Sequence, residues 1–293
     1  LLWRSEVNPI LILGHPHMPR YLLVYPGFLL EDALPSLGFS LYMVSFFIAN
    51  FVLFRKISLL LSGRSPYWYL YCIFFAAHMA MNGRGAIAWC GWLICLWVCM
   101  RLSSKLIKLS GVFVWIAISC LFATVSTGVF VIVVCTYVYY IASHVFHNLK
   151  SSRSSLLIYL FILIIFGALV MDFFVLSISK NIDFYGGGIE GFFNMFEHGL
   201  GVVFTQLSII SAFLLYVSSC LMLIFVYLVV MGKKFTDMEV IVLVPIFGGI
   251  FGYTVLTLFT PPILFVIQSI AVRRYNYKGR GIRLQNFSSC LAR

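Results

Sequence analysis

Residues 35–54 read PSLGFSLYMVSFFIANFVLF, a run of twenty residues without a charged side chain. An α-helix of that length crosses the hydrocarbon core of a bilayer, which is about 30 Å thick. Comparable apolar runs follow at 66–82, 86–100, 110–125, 128–145, 155–178, 203–231, 240–258 and 261–272. We therefore predict an all-α fold, a polytopic transmembrane helical bundle of about nine spans, with residues 1–293 forming a single transmembrane domain. The last run is short, and 240–272 is alternatively a shallow hairpin broken at Pro261-Pro262.

The overall composition agrees with this fold class. The chain is 62% hydrophobic and only 10% charged, whereas soluble domains carry about 25% charged residues. Its net charge of +11 would favour nucleic acid as a partner of a soluble protein. In a membrane protein, basic residues collect in the loops on the cytoplasmic side, so we expect no nucleic-acid partner.

The distribution of basic residues predicts the orientation of the spans. With the end of the first span placed inside, four of the twenty Lys and Arg residues fall outside, namely Arg4, Arg20, Arg84 and Lys180. The other sixteen fall in cytoplasmic loops and in a basic cytoplasmic tail, residues 273–293. These loops include Arg55 and Lys56, just after the first span. Residues 1–33 then form an outer or interfacial segment. The chain starts without methionine, and we expect it to be a fragment that lacks earlier helices.

Cysteines and short motifs exclude several classes of protein. Seven of the eight cysteines lie in apolar runs, where they behave as small hydrophobic residues, so neither a disulfide framework nor a metal site is expected. The sequence has no Walker A motif, no dinucleotide-binding glycine fingerprint and no HExxH motif. An ATPase, a dinucleotide enzyme and a zinc protease are therefore disfavoured, and we predict no cofactor.

The first candidate site is the run His78-x-x-x-Asn82-Gly83-Arg84-Gly85. His78 and Asn82 are four residues apart, so they share one face at a helix end. Arg84 follows on the outer turn, against the trend of the basic residues, and a guanidinium is suited to phosphate oxygens. Alternatively, Arg84 extends to outer lipid headgroups and His78 bonds a neighbouring helix.

The second candidate is a glycine-rich outer loop, residues 179–202. It carries the outer groups that can move protons, which are Asp183, Glu190, Glu197 and His198. Its three consecutive glycines at 186–188 permit close approach of a ligand or simply make a turn. Four apolar residues at 192, 193, 195 and 196 predict a short amphipathic helix lying on the membrane. The alternative is a solvated loop without a site.

Two further residues are candidates by position. Asp172 lies within a predicted span, where a carboxylate is costly and is a functional candidate. The alternative is a hydrated position near the outer surface. Thr127 lies in the turn Ser126-Thr127-Gly128, where its hydroxyl binds a sugar or only caps a helix.

Three stretches together resemble the Wzy-type polymerases of O-antigen and capsular polysaccharide repeat units in bacterial inner membranes. They are HMAMNGRGAIAW (His78–Trp89), VSTGVF (Val125–Phe130) and FYGGGIEGFFNMFEHGLG (Phe184–Gly201), about a sixth of the chain. Members of that family usually have more spans, a longer chain and a larger outer loop than this sequence has.

The resemblance implies transfer of a growing glycan from polyprenyl pyrophosphate to the sugar of another lipid-linked unit, at the outer face of the inner membrane. The implied partners are this lipid-linked oligosaccharide, membrane lipids and a chain-length regulator protein. We expect Arg84 to bind the pyrophosphate, and His198 or Glu197 to be the general base. Asn82, Asp183 and Glu190 would orient sugars, and the remaining substrate-binding candidates are His78, Asp172 and Thr127.

Two other activities stay open at this stage, as does a non-catalytic role as a membrane assembly subunit. An O-antigen ligase-like or membrane acyltransferase activity shares the outer-face design. A polysaccharide transporter or lipid flippase would place charged residues deep in several spans. Only Asp172 and His78 are candidates for such residues, which disfavours transport.

Overall fold

A computed structural model describes residues 18–79, 83–103, 109–148, 175–176, 178–180, 182–200, 221, 262–269 and 271–272. All regular secondary structure in these residues is helical. The helices are α1 (Met18–Ala33), α2 (Gly38–Ser62), α3 (Trp68–Met79), α4 (Gly83–Ser103), α5 (Leu109–Ala123), α6 (Thr127–Asn148) and α7 (Gly188–Leu200). Residues 262–269 are also helical. The predicted all-α fold is confirmed for this part of the chain.

Helix α4 is the centre of the described bundle. It packs against α2, α5 and α6, and most of its side chains are buried. Gly91 permits a close approach of α5, because a Cβ atom there would lie 2.7 Å from both the Ser119 carbonyl oxygen and the Ala123 amide nitrogen. Small residues at such crossings allow helix backbones to approach closely, which is how helices pack in membranes. The bundle is therefore organised around α4.

Helix α2 is longer than the sequence predicted. We expected its span to end at residue 54 and placed Arg55 and Lys56 in a loop, whereas the helix continues to Ser62. Its buried stripe continues through Phe54, Ile57 and Ser58, while both basic side chains are exposed on the opposite face. The predicted boundary was wrong because charge was taken as the end of the helix. The 3.6-residue periodicity of the buried face continues past the charges.

Helix α1 lies within residues 1–33, which the sequence predicted as an outer or interfacial segment. It packs on α2, and the Tyr42 hydroxyl donates to the Leu23 carbonyl oxygen. The Glu31 carboxylate accepts hydrogen bonds from the Ser36 amide at 2.7 Å and from the Phe39 amide at 2.9 Å. A carboxylate at the start of α2 satisfies free amide groups and favours the helix dipole, so Glu31 fixes the connection between the two helices.

Aromatic rings join α2, α3 and α4 to the helical residues 262–269. Phe54 stacks on Phe74 with ring centroids 4.5 Å apart, and it lies 5.2 Å from Phe265. Gln268 accepts a hydrogen bond from the Tyr67 amide at 3.4 Å and donates to the Ser65 carbonyl oxygen at 3.2 Å. A side chain distant in sequence therefore holds the loop between α2 and α3 against the core.

Two of the described helices are long and apolar enough to cross a membrane, Gly38–Ser62 and Gly85–Ser103. Shorter apolar helices cover Trp68–His78, Val112–Ala123 and Gly128–Ile141. These findings support membrane association in part, and the count of nine spans and their orientation stay predictions. The predicted span at 240–258 lies outside the described residues, and those at 155–178 and 203–231 do so almost entirely.

Candidate functional site

The turn between α3 and α4 carries the first group of candidate residues. Helix α3 ends at Met79 and α4 begins at Gly83, so Arg84 is the second residue of α4. The amide groups of a helix's first turn have no partner within the helix, and this end carries a partial positive charge. The turn thus joins two features that favour a phosphate group, a helix N-terminus and an arginine. Asn82 and the Arg84 side chain lie outside the described part of the structure.

His78 lies inside the bundle, one turn before this connection. Its ring is 4.9 Å from that of Phe47, 5.9 Å from that of Trp89 and 6.0 Å from that of Phe74, measured between centroids. The side chain is buried, and neither ring nitrogen has a hydrogen-bond partner among the described residues. The structure thus places His78 against protein rings, and its contact with substrate stays a prediction.

The second group lies on a helical hairpin, residues 182–200, which turns at three glycines. Gly186, Gly187 and Gly188 have φ values of 116°, 76° and 57°, a region that side-chain-bearing residues rarely adopt. The Gly187 amide donates to the Ile182 carbonyl oxygen at 2.9 Å, which closes the turn. The glycine run is therefore required by the backbone of this tight turn, and it does not by itself indicate a ligand.

The two arms of the hairpin pack against each other. A Cβ atom at Gly191 would collide with the Ile182 carbonyl oxygen, so this position in α7 requires a glycine. The Asn194 side chain donates to the Tyr185 carbonyl oxygen at 3.0 Å. These contacts fix the position of α7 relative to the preceding residues. They thereby also fix the backbone positions of the polar residues on the hairpin.

The carboxylates of the hairpin are accessible. Asp183 and Glu190 are both exposed, one on each arm. Asp183 also borders a groove with Val175, Ile178, Ser179 and Ile182. Two exposed carboxylates beside an apolar groove can accept hydrogen bonds from sugar hydroxyls. Glu197 and His198 lie in the last turn of α7, and their side chains are outside the described part.

Four apolar residues of the hairpin face outward. Phe184 and Ile189 are among its most exposed side chains, and Phe192 and Phe193 are also exposed. Ile189, Phe192 and Phe193 have the three- and four-residue spacing of one helix face. The predicted amphipathic helix is therefore confirmed, and its position on a membrane stays a prediction.

The remaining candidates are only partly described. Thr127 is the first residue of α6, and the carbonyl oxygen of the preceding Ser126 accepts the Phe130 amide at 2.9 Å. Ser126 thus occupies the N-cap position and Thr127 the first position inside the helix, so the role of the Thr127 hydroxyl stays a prediction. The Thr127 side chain and Asp172 lie outside the described residues.

The structure brings these candidates into two groups. His78 and Arg84 belong to the connection between α3 and α4, whereas Asp183, Glu190, Glu197 and His198 belong to the hairpin. The hydrogen bonds given above for the hairpin are internal to it, and a single pocket that joins the two groups stays a prediction. Within the described ranges, no group of three or more His, Cys, Asp or Glu side chains is arranged to hold a metal ion.

Sequence reasoning missed one polar residue of the core. Asn50 is completely buried in α2, and its side-chain amide donates to the Ala86 carbonyl oxygen in the first turn of α4 at 2.9 Å. The signal was present, since a single asparagine in a twenty-residue apolar run commonly bonds to a neighbouring helix.

No family model, no curated protein and no solved structure matches this chain.

Proposed function

We propose that this chain is a membrane glycosyltransferase that polymerises polyprenyl-pyrophosphate-linked oligosaccharide repeat units. In this proposal it crosses the bacterial inner membrane about nine times, and its C-terminus is cytoplasmic. Both candidate groups lie on the outer face. No cofactor takes part in the reaction.

The observation that carries the proposal is the position of Arg84 at the start of α4. A helix N-terminus beside an arginine favours the diphosphate of a lipid-linked donor. Helix α4 is buried among its neighbours, and Asn50 holds its first turn through the Ala86 carbonyl oxygen. A site on such a rigid helix end keeps its donors aligned as charge develops on the leaving group.

The hairpin supplies the complementary chemistry. Its exposed carboxylates, Asp183 and Glu190, suit sugar hydroxyls. Glu197 and His198, in the last turn of α7, are the groups that would remove a proton from the acceptor. The outward apolar face of α7 would keep the hairpin at the level of the lipid headgroups, where a lipid-linked substrate presents its sugars.

The proposed reaction breaks one bond and forms one bond. The acceptor hydroxyl oxygen attacks the anomeric carbon of the donor glycan, and the bond from that carbon to the phosphate oxygen breaks. The bonding electrons leave with the polyprenyl pyrophosphate, whose charge Arg84 stabilises. His198 or Glu197 takes the proton of the acceptor hydroxyl. The departing pyrophosphate supplies the driving force, so no nucleotide is consumed.

A gene deletion in the source bacterium tests the class of activity. We expect the deletion to leave surface glycans that carry a single repeat unit, and expression of this chain to restore the ladder of longer chains. Loss of glycan from the final acceptor, with long lipid-linked chains retained, would contradict the proposal and indicate a ligase. Lipid-linked units stranded on the cytoplasmic face would contradict it and indicate a flippase.

A further inference from the structure

Three buried polar side chains lie on neighbouring turns of α2, α3 and α4. On α2, Asn50 donates to the Ala86 carbonyl oxygen of α4, and Trp89 follows Ala86 by one turn. The Trp89 ring is 5.9 Å from the His78 ring of α3. The His78 ring is in turn 4.9 Å from Phe47, one turn before Asn50. These contacts close a circuit through the three helices.

The side chains on this circuit carry polar atoms without a protein partner. Asn50 is 0% exposed, Trp89 is 1% exposed and His78 is 7% exposed. Among the described residues, Asn50 Oδ1, Trp89 Nε1 and both ring nitrogens of His78 have no hydrogen-bond partner. A buried polar atom that makes no hydrogen bond costs about 1–3 kcal/mol, and in a lipid environment bulk water cannot satisfy it. Four such atoms on neighbouring turns of three packed helices indicate that small polar molecules satisfy them.

The donor and acceptor count of these atoms defines the chemistry of those molecules. Asn50 Oδ1 accepts and the Trp89 indole donates, while a neutral imidazole supplies one donor and one acceptor. Two donors and two acceptors with no fixed charge match ordered water, which both donates and accepts hydrogen bonds. The two nitrogens of the His78 ring point away from each other, so more than one water molecule is needed. A phosphate or carboxylate would find only two donors here, and a metal cation would find no carboxylate or thiolate among the three side chains.

We propose that Asn50, His78 and Trp89 enclose an internal hydration site, occupied by ordered water, between α2, α3 and α4. Buried waters of this kind typically make about three hydrogen bonds to otherwise unsatisfied groups. The site lies beneath the first turn of α4, since Asn50 also bonds to Ala86. The site therefore links three helices beneath the turn that contains Arg84, and it does not depend on the proposed transferase activity.

X-ray radiolytic footprinting of the intact chain in lipid nanodiscs tests this site. Hydroxyl radicals form at bound water, so side chains beside a buried water are oxidised although bulk solvent does not reach them. Phe74 and Phe265 form a matched pair, with exposures of 0% and 1%, and of the two rings only Phe74 contacts His78. We expect several-fold more oxidation of Phe74 than of Phe265. Equal, background-level oxidation of both rings would overturn the proposal.

A variant provides a second test of the same site. His78→Phe keeps a planar ring and removes both nitrogens. If water bonds these nitrogens, their loss leaves the water and its other partners unsatisfied, and we expect the apparent melting temperature in nanodiscs to fall. If the nitrogens are instead unpaired, the same change removes two unsatisfied buried polar groups and raises the melting temperature. A rise would contradict the hydration site.

Discussion

Replacing Arg84 by alanine is expected to abolish long glycan chains while leaving the protein folded in the membrane. In the proposed mechanism, Arg84 stabilises charge on the departing lipid pyrophosphate, and the first turn of α4 contains no other basic residue. Removal of one donor that stabilises a developing anion typically slows an enzyme by about 100- to 1,000-fold. The measurement is the length distribution of surface glycan when the variant replaces the natural chain at equal abundance.

Two control variants make this result specific. Arg84→Lys keeps the charge and loses the planar fork, so we expect partial activity, with shorter chains than those of the natural protein. Arg64→Ala removes an exposed arginine in the loop between α2 and α3, and it should leave the glycan ladder unchanged. A normal ladder from Arg84→Ala would show that Arg84 does not bind the pyrophosphate.

Replacing Gly91 by valine is expected to destabilise the bundle more than any surface substitution. A Cβ atom at Gly91 meets backbone atoms of Ser119 and Ala123 at 2.7 Å, so the two helices must separate to admit it. Because overpacking commonly costs 1–3 kcal/mol and backbone cannot rotate away as a side chain can, we expect a loss of about 3 kcal/mol. The measurement is thermal unfolding in detergent, monitored by size-exclusion chromatography with fluorescence detection.

The matched control lies on the partner helix. Ala117 is an exposed residue of α5, so Ala117→Val adds methyl groups where no protein atom is displaced. We expect its melting temperature to stay close to that of the natural chain. Equal melting temperatures for Gly91→Val and the natural chain would show that α4 and α5 do not pack at this glycine.

The sequence predicted the consecutive helix pairs well because the turns that join them are very short. Predicted spans at 110–125 and 128–145 correspond to α5 and α6, which begin and end within a few residues of those bounds. Because only a few polar residues separate the two apolar runs, the chain has to reverse direction between them. The first span was less accurate, because basic residues were taken as its end whereas the buried stripe continues beyond them.

Helix α1 and the role of Asn50 required the structure. Helix α1 contains Pro26 and ends near Glu31 and Asp32, so it lacks an uninterrupted apolar run. Its stability comes from packing on α2 and from the bonds that Glu31 makes, which composition does not reveal. Asn50 could be noted as a polar residue in a span, but its partner in α4 depends on how the helices cross. Residue type alone indicates the candidate site residues. Whether the two groups of candidates meet in space depends on the same helix packing, which residue type does not reveal.

Reconstitution of the purified chain tests the central claim most directly. The intact protein in nanodiscs would be given lipid-linked repeat units extracted from the source bacterium, without nucleotide, metal ion or other protein. We expect products of two and more repeat units, with one polyprenyl pyrophosphate released for each bond formed. Substrate that stays at one repeat unit, with a protein shown to be folded by its melting curve, would contradict the assignment of glycosyl transfer to this chain.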